Sequence, residues 1–184
     1  MATLKQIRQR IRTAKNIQQI TRAMKLVAAA RLKRATDRVV EARPYADKMK
    51  EFMQSLAAAG ELPEHPLMQK REVAKIGLLL ITADRGLAGS YNTNLIRKAG
   101  DFVAASETPV RLITVGRKGT QFFGKRGYDI ARSFTVSSAG ATLENVQEVS
   151  KYLRELFESG EVDAIYVCYS KFYSAIRQSP EVVQ

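Results

Sequence analysis

Acids are missing from the start of this chain: none occurs before Asp37, although ten Lys and Arg do. Glycine is missing too, with none before Gly60, and Pro44 is the only proline in the first sixty residues. A single cysteine, Cys168, excludes an intrachain disulfide and points to a reducing compartment. The single histidine, His65, lies between two prolines in a polar stretch and reads as a surface residue. With one His and one Cys, the usual hydrolytic constellations cannot be assembled within the chain. No run approaches the roughly 20 apolar residues of a membrane-spanning helix. The basic N-terminus lacks the apolar block of a secretory signal, and its heptad order sets it apart from a transit peptide.

What is present divides unevenly. The 184 residues carry 45% hydrophobic side chains, enough for a core, and a formal charge of +12. Residues 1–60 hold fourteen Lys and Arg against four acids, a net of +10, and the remainder holds sixteen against fourteen, a net of +2. A basic arm is thus joined to a nearly neutral body. Such a field implies an acidic partner: nucleic acid, anionic lipid or an acidic protein surface.

The arm has a heptad order. Counting in sevens from Ile7 gives Ala14, Thr21, Ala28, Ala35, Ala42, Met49 and Leu56, all apolar or small. The companion column reads Leu4, Ile11, Gln18, Lys25, Leu32, Val39, Ala46 and Met53. Two columns sustained this long predict half of a coiled coil, on the order of 80 Å in length. Its alanines allow a partner helix to approach closely. A second stripe, Ile17, Ile20, Met24 and Val27, requires cover on another side. Pro44 predicts a kink or break.

The boundaries read as a basic helix over 1–60, a linker over 61–72 that contains "ELPEHP", and an α/β domain over 73–184. Strands are expected at 75–82, 110–116, 128–136 and 163–172. Helices are expected between them: 91–105 with Asn92 or Thr93 as cap, a short one within 117–127, and 142–160. The last places Leu143, Val146, Val149, Leu153 and Leu156 on one face. Tyr166 and Cys168 share one strand face, and Ile165, Val167 and Tyr169 the other, so Cys168 should be buried and inert. The fold class is α/β: a long N-terminal coiled-coil helix plus a Rossmann-like parallel-sheet domain.

The loop "TADRGLAGSYN" follows the first strand, where nucleotide-binding α/β proteins hold phosphate. Its glycines match neither phosphate-binding spacing, and no lysine follows the second. It reads as a structural loop in which Gly86 and Gly89 supply permissive backbone and Asp84 and Arg85 pair or cap locally. No clustered metal ligands and no nucleophile beside a base are evident, and no cofactor is expected.

Taken together, "IRQRIRTAKNIQQITRAMKLVAAARLKRA", "ARPYA", "ITADRGLAGSYN", "GRKGTQFF" and "YSKFYSAIRQSP" resemble the gamma subunit of F-type ATP synthase. The resemblance runs through nearly the whole chain. It implies a rotor: a shaft inside a ring of alpha and beta subunits, with the α/β domain at the foot against the epsilon subunit and the c-subunit ring. It implies that the seam of Ile7, Ile11, Ala14, Thr21, Ala28, Leu32, Ala35, Val39 and Ala42 meets a sister helix. Ile20, Arg22, Met24 and Lys25 are then the candidates for contact with the ring. It also implies a non-catalytic subunit, peripheral to the cytoplasmic face of a bacterial inner membrane and binding no nucleic acid. The family's second shaft helix is absent from these 184 residues, so either this is a fragment or another chain supplies the mate. The competing reading is a basic helical nucleic-acid-binding protein, with affinity falling steeply with salt. Against it, the arm has no aromatic before Tyr45.

Overall fold

The computed structural model of the chain describes residues 3–59, 65–68, 71–136 and 140–184. The chain forms two compact units, Met1–Pro63 and Glu64–Gln184. Gly60 and part of the expected linker, 61–64 and 69–70, lie outside the described residues.

The first unit is one helix, α1 (Leu4–Ala59). Thr3 and Gln6 start it reciprocally: Thr3 Oγ1 accepts from Gln6 N at 3.4 Å, and Gln6 Oε1 accepts from Thr3 N at 2.9 Å. The expected break at Pro44 is not there, and the helix runs through it. Proline removes one donor, but the flanking residues are strong helix formers and this stretch of the helix is exposed to water.

The second unit runs β1 (Ile76–Ile81), α2 (Tyr91–Ala105), β2 (Val110–Val115), α3 (Arg117–Gly124), β3 (Ile130–Phe134), α4 (Leu143–Glu158), β4 (Ala164–Ser174) and β5 (Arg177–Val183). The sheet order is β3-β2-β1-β4-β5. The four expected strands are mutually parallel, as their alternation with helices implied, and a fifth, β5, adds antiparallel to β4. The fifth strand went unread because Pro180 and the polar "RQSPE" lack strand alternation. Pro180 is tolerated there since β5 lies at the sheet edge.

Chain direction explains the layering. Two crossovers carry the chain from β1 outward to β3, and α4 then returns it across β1 to β4. Helices α2 and α3 therefore cover one face and α4 the other. Leu78, Leu80, Leu112 and Cys168 form the first core with Leu95, Ala99 and Phe123. Leu79, Ile113 and Val115 form the second with Phe134, Leu156 and Val162. β1 is buried on both faces, as central parallel strands are.

Candidate functional site

The exposed length of α1 is the first candidate. Apart from Thr36 and Leu56, which are half-buried, every side chain described on it is exposed. That holds for the whole proposed seam: Ile7, Ile11, Ala14, Thr21, Ala28, Leu32, Ala35, Val39 and Ala42. Ile20 and Met24 are 60% and 66% exposed, values that belong to solvent-facing lysines rather than to core aliphatics. Thr21 directs its hydroxyl to the Ile17 carbonyl at 2.8 Å, so its polar atom is satisfied within its own helix. Among the described residues no acid is seen to pair with Arg22 or Lys25; Lys48 pairs with Glu51 a long way further along this helix. The helix thus offers apolar stripes and uncompensated positive charge together.

The loop after β1 is the second candidate, at the carboxyl end of the strands where the sheet order reverses. Thr82 is buried; its Oγ1 donates to the carbonyls of Val115 or Gly116, 3.2 Å away, and accepts from Gly119 N at 2.9 Å. Ala83 N donates to Asn92 Oδ1 at 2.9 Å, and Lys118 N to the Ala83 carbonyl at 3.1 Å. Asp84 Oδ1 accepts from Arg117 N at 3.0 Å. The first amides of α3 are thus engaged inside the protein, by Asp84, Ala83 and Thr82.

Asp84 caps α3 and lies 3.9 Å from Arg117 Nε, and Arg85 is exposed. Two local expectations are corrected by this geometry. Left-handed backbone falls on Leu87 (φ 59°) and Gly89 (φ 56°), while Gly86 does not adopt it. Helix α2 begins at Tyr91 after Ser90, with no side-chain cap, because Asn92 is turned to the loop instead.

Elsewhere, an apolar groove of about 840 Å³ lies beside α4, lined by Leu79, Ile81, Phe134, Val149, Leu153 and Phe157 among others. One helix cannot roof a five-stranded sheet. The expected apolar face of α4 is therefore split: Val149, Leu153 and Leu156 pack on the sheet, whereas Leu143 and Val146 are 74% and 55% exposed. Two further exposed aliphatics escaped the sequence reading, Leu87 and, at the β4–β5 turn, Ile176. The signal for both was an aliphatic residue inside an otherwise polar turn. Burial pushes the Cys168 thiol up to about 11, against a lowering by Lys98, and raises Tyr91. Lys171 is raised by Glu181, 3.4 Å away across the β4–β5 hairpin. Among the described residues no group of three or more His, Cys, Asp or Glu is placed to hold a metal. No helix among them is long and apolar enough to cross a membrane.

These features, an exposed heptad rod and a doubly covered α/β unit, coincide with a known family. Residues 3–184 match the family model described as ATP synthase. The ATP synthase gamma chain of Desulfitobacterium hafniense is 42% identical over 98% of this chain, and that of Moorella thermoacetica 44% over 99%. This chain spans 64% of the length of either relative. Among solved structures, a chain of the Tetrahymena thermophila mitochondrial ATP synthase central stalk and c-ring superposes with a TM-score of 0.70. It is 21% identical, with 89% of this chain and 70% of that one covered, a likeness of fold. A Euglena gracilis mitochondrial ATP synthase rotor chain gives 0.53 at 16% identity, over 96% of this chain and 60% of its own. An exposed, basic, alanine-seamed helix followed by this mixed sheet, together with a family match over nearly every residue, establishes that the chain belongs to the ATP synthase gamma-chain family.

Proposed function

We propose that this chain belongs to the central rotor of an F-type ATP synthase and couples proton-driven rotation to ATP synthesis or hydrolysis in the alpha/beta ring. On this reading α1 is one strand of the shaft. Its seam, Ile7 through Ala42, grips a sister helix, and the Ile20 and Met24 flank turns within the ring. Arg22 and Lys25 meet acidic surfaces of the ring, which would supply the counter-charge not seen among the described residues. The Glu64–Gln184 unit lies against the epsilon subunit and the c-subunit ring. The assembly is peripheral to the cytoplasmic face of the membrane. The chain binds no nucleotide and catalyses nothing itself. Its effect is to favour different conformations of successive catalytic sites, since coupling needs contacts that differ between those conformations.

The observation that carries this reading is the exposure of both apolar columns along a 56-residue helix whose chain has two cores elsewhere. The test is reversal of charge at Arg22 and Lys25, both to Glu, in the complete synthase, with its alpha and beta subunits and c-subunit ring, reconstituted in sealed vesicles. ATP-driven proton pumping should fall several-fold, while the thermal transition of the α/β unit stays put, since these side chains are exposed on α1. A normal ATPase complex that always forms without this chain would overturn the proposal.

A further inference from the structure

We infer that Arg71 and Asp163 are positioning residues that strap the stretch leading into β1 to the end of α4 and the start of β4. Force carried along the chain from α1 then enters the second unit at that corner before it reaches β1. The inference rests on the rotor reading, in which such force arises, and adds to it the point of entry.

The ties follow one another in chain order. Arg71 comes first: its Nη1 donates to the Phe157 carbonyl at 2.7 Å, and its guanidinium lies 4.5 Å from the centre of the Phe157 ring. Phe157 is in the last turn of α4, which has no basic residue of its own. Arg71 therefore brings a cation to the negative end of that helix and a donor to one of its terminal carbonyls. Asp163 comes next. Its Oδ2 accepts from Ala74 N at 3.0 Å and from Lys75 N at 2.9 Å, and its own N–H donates to the Lys75 carbonyl at 2.8 Å. Only after these does Ile76 open β1 by pairing with Val110 and Ala164.

The residues that receive the strap are held by the core. Leu156, beside Phe157, is 3% exposed; Val162 and Ala164, on either side of Asp163, are 0% and 3% exposed. A pull on residues 71–75 is thus passed to neighbours packed beneath the sheet. A ladder pulled at its end yields one rung at a time, whereas a carboxylate gripping two successive amides ahead of it takes the pull first, through hydrogen bonds of the stronger, charge-assisted sort.

Force-clamp measurements on the intact chain in two pulling geometries test this. In the first, handles attach at Lys50→Cys on α1 and at Glu107→Cys before β2, so the strap lies in the path. In the second they attach at Glu107→Cys and Arg177→Cys, so it does not; all three positions are exposed. Cys168, buried and with its thiol held protonated, stays unlabelled. Asp163→Ala should shorten the dwell before the second unit yields at least about tenfold in the first geometry, since hydrogen bonds to a charged acceptor are lost from the barrier. In the second geometry the dwell should stay as in the wild type. Arg71→Ala should act in the same sense, and Arg71→Lys, which keeps a cation at the helix end, should restore part of the dwell. Equal shortening in both geometries is the mark of a contact that merely stabilises the fold, and it overturns the inference, as does no shortening in either. Failure of the chain to assemble with alpha and beta subunits would instead overturn the rotor reading and leave the two-geometry result standing.

Discussion

Gly116 shows how closely the second unit is fitted. Its φ is 92°, and an added Cβ would come within 2.1 Å of the Thr82 carbonyl oxygen. Backbone meets backbone there, so no rotamer change relieves it. Gly116→Ala should lose on the order of 4 kcal/mol in urea unfolding, at the upper end of single-residue effects. Leu87 is the opposite case: fully exposed, packed on nothing, and held at φ 59°. Leu87→Gly should raise stability by about 1 kcal/mol, because only the left-handed backbone penalty is removed. Cys168 links stability to pH. Its thiol is raised from 9.0 to about 11, so folding favours the protonated form. That contribution is complete below pH 9 and is lost as pH rises toward 11. Comparing wild type with Cys168→Ala across this window should show the extra loss in the wild type alone. The burial of Cys168 was legible from strand alternation, since Tyr166 and Cys168 do share one core and Ile165 and Val167 the other. The strain at Leu87 was not, because a leucine in a turn announces nothing about its φ.

Elements were read well where one periodicity ruled and poorly where neighbours decided. Both faces of β1 and of β2 from Leu112 on are buried, so their continuous apolar runs stood out, whereas β4 is fully buried only at Ala164 and Cys168. The edge strand β5 had no such run, and only pairing with β4 makes it a strand. The capping of α2 was misjudged because Asn92 had two possible tasks, and the contact with Ala83 N won. Helix α1 was the clearest element, yet its continuity through Pro44 was unexpected. A local rule for proline was set against some forty helix-forming neighbours, and the neighbours prevailed. Proline nevertheless costs about 3 kcal/mol in a helix interior. Pro44→Ala should therefore increase ellipticity at 222 nm and raise the temperature at which α1 melts, leaving the α/β unit as it was.

At the scale of the molecule, the two units differ in what stabilises them. The second unit encloses two cores drawn from its own strands and helices. The first exposes its apolar residues throughout, and an isolated helix gains little from propensity alone. Heating should therefore give two transitions: a broad early loss of helix, then a sharp one seen in the tyrosine signal. Removing residues 1–63 should abolish the first and leave the second. The charge asymmetry that marked the arm was visible in the sequence, as were the heptads. The groove beside α4 was not, because whether one helix suffices to cover a sheet depends on topology rather than on pattern.

The unbroken passage of α1 through Pro44 has a mechanical consequence. Every other rung in the middle of the helix has its donor, but residue 44 offers none to the carbonyl four places earlier. A rod missing one tie is not uniformly stiff. Torsion applied between its ends concentrates at that level, so strain is absorbed about three quarters of the way along rather than shared evenly.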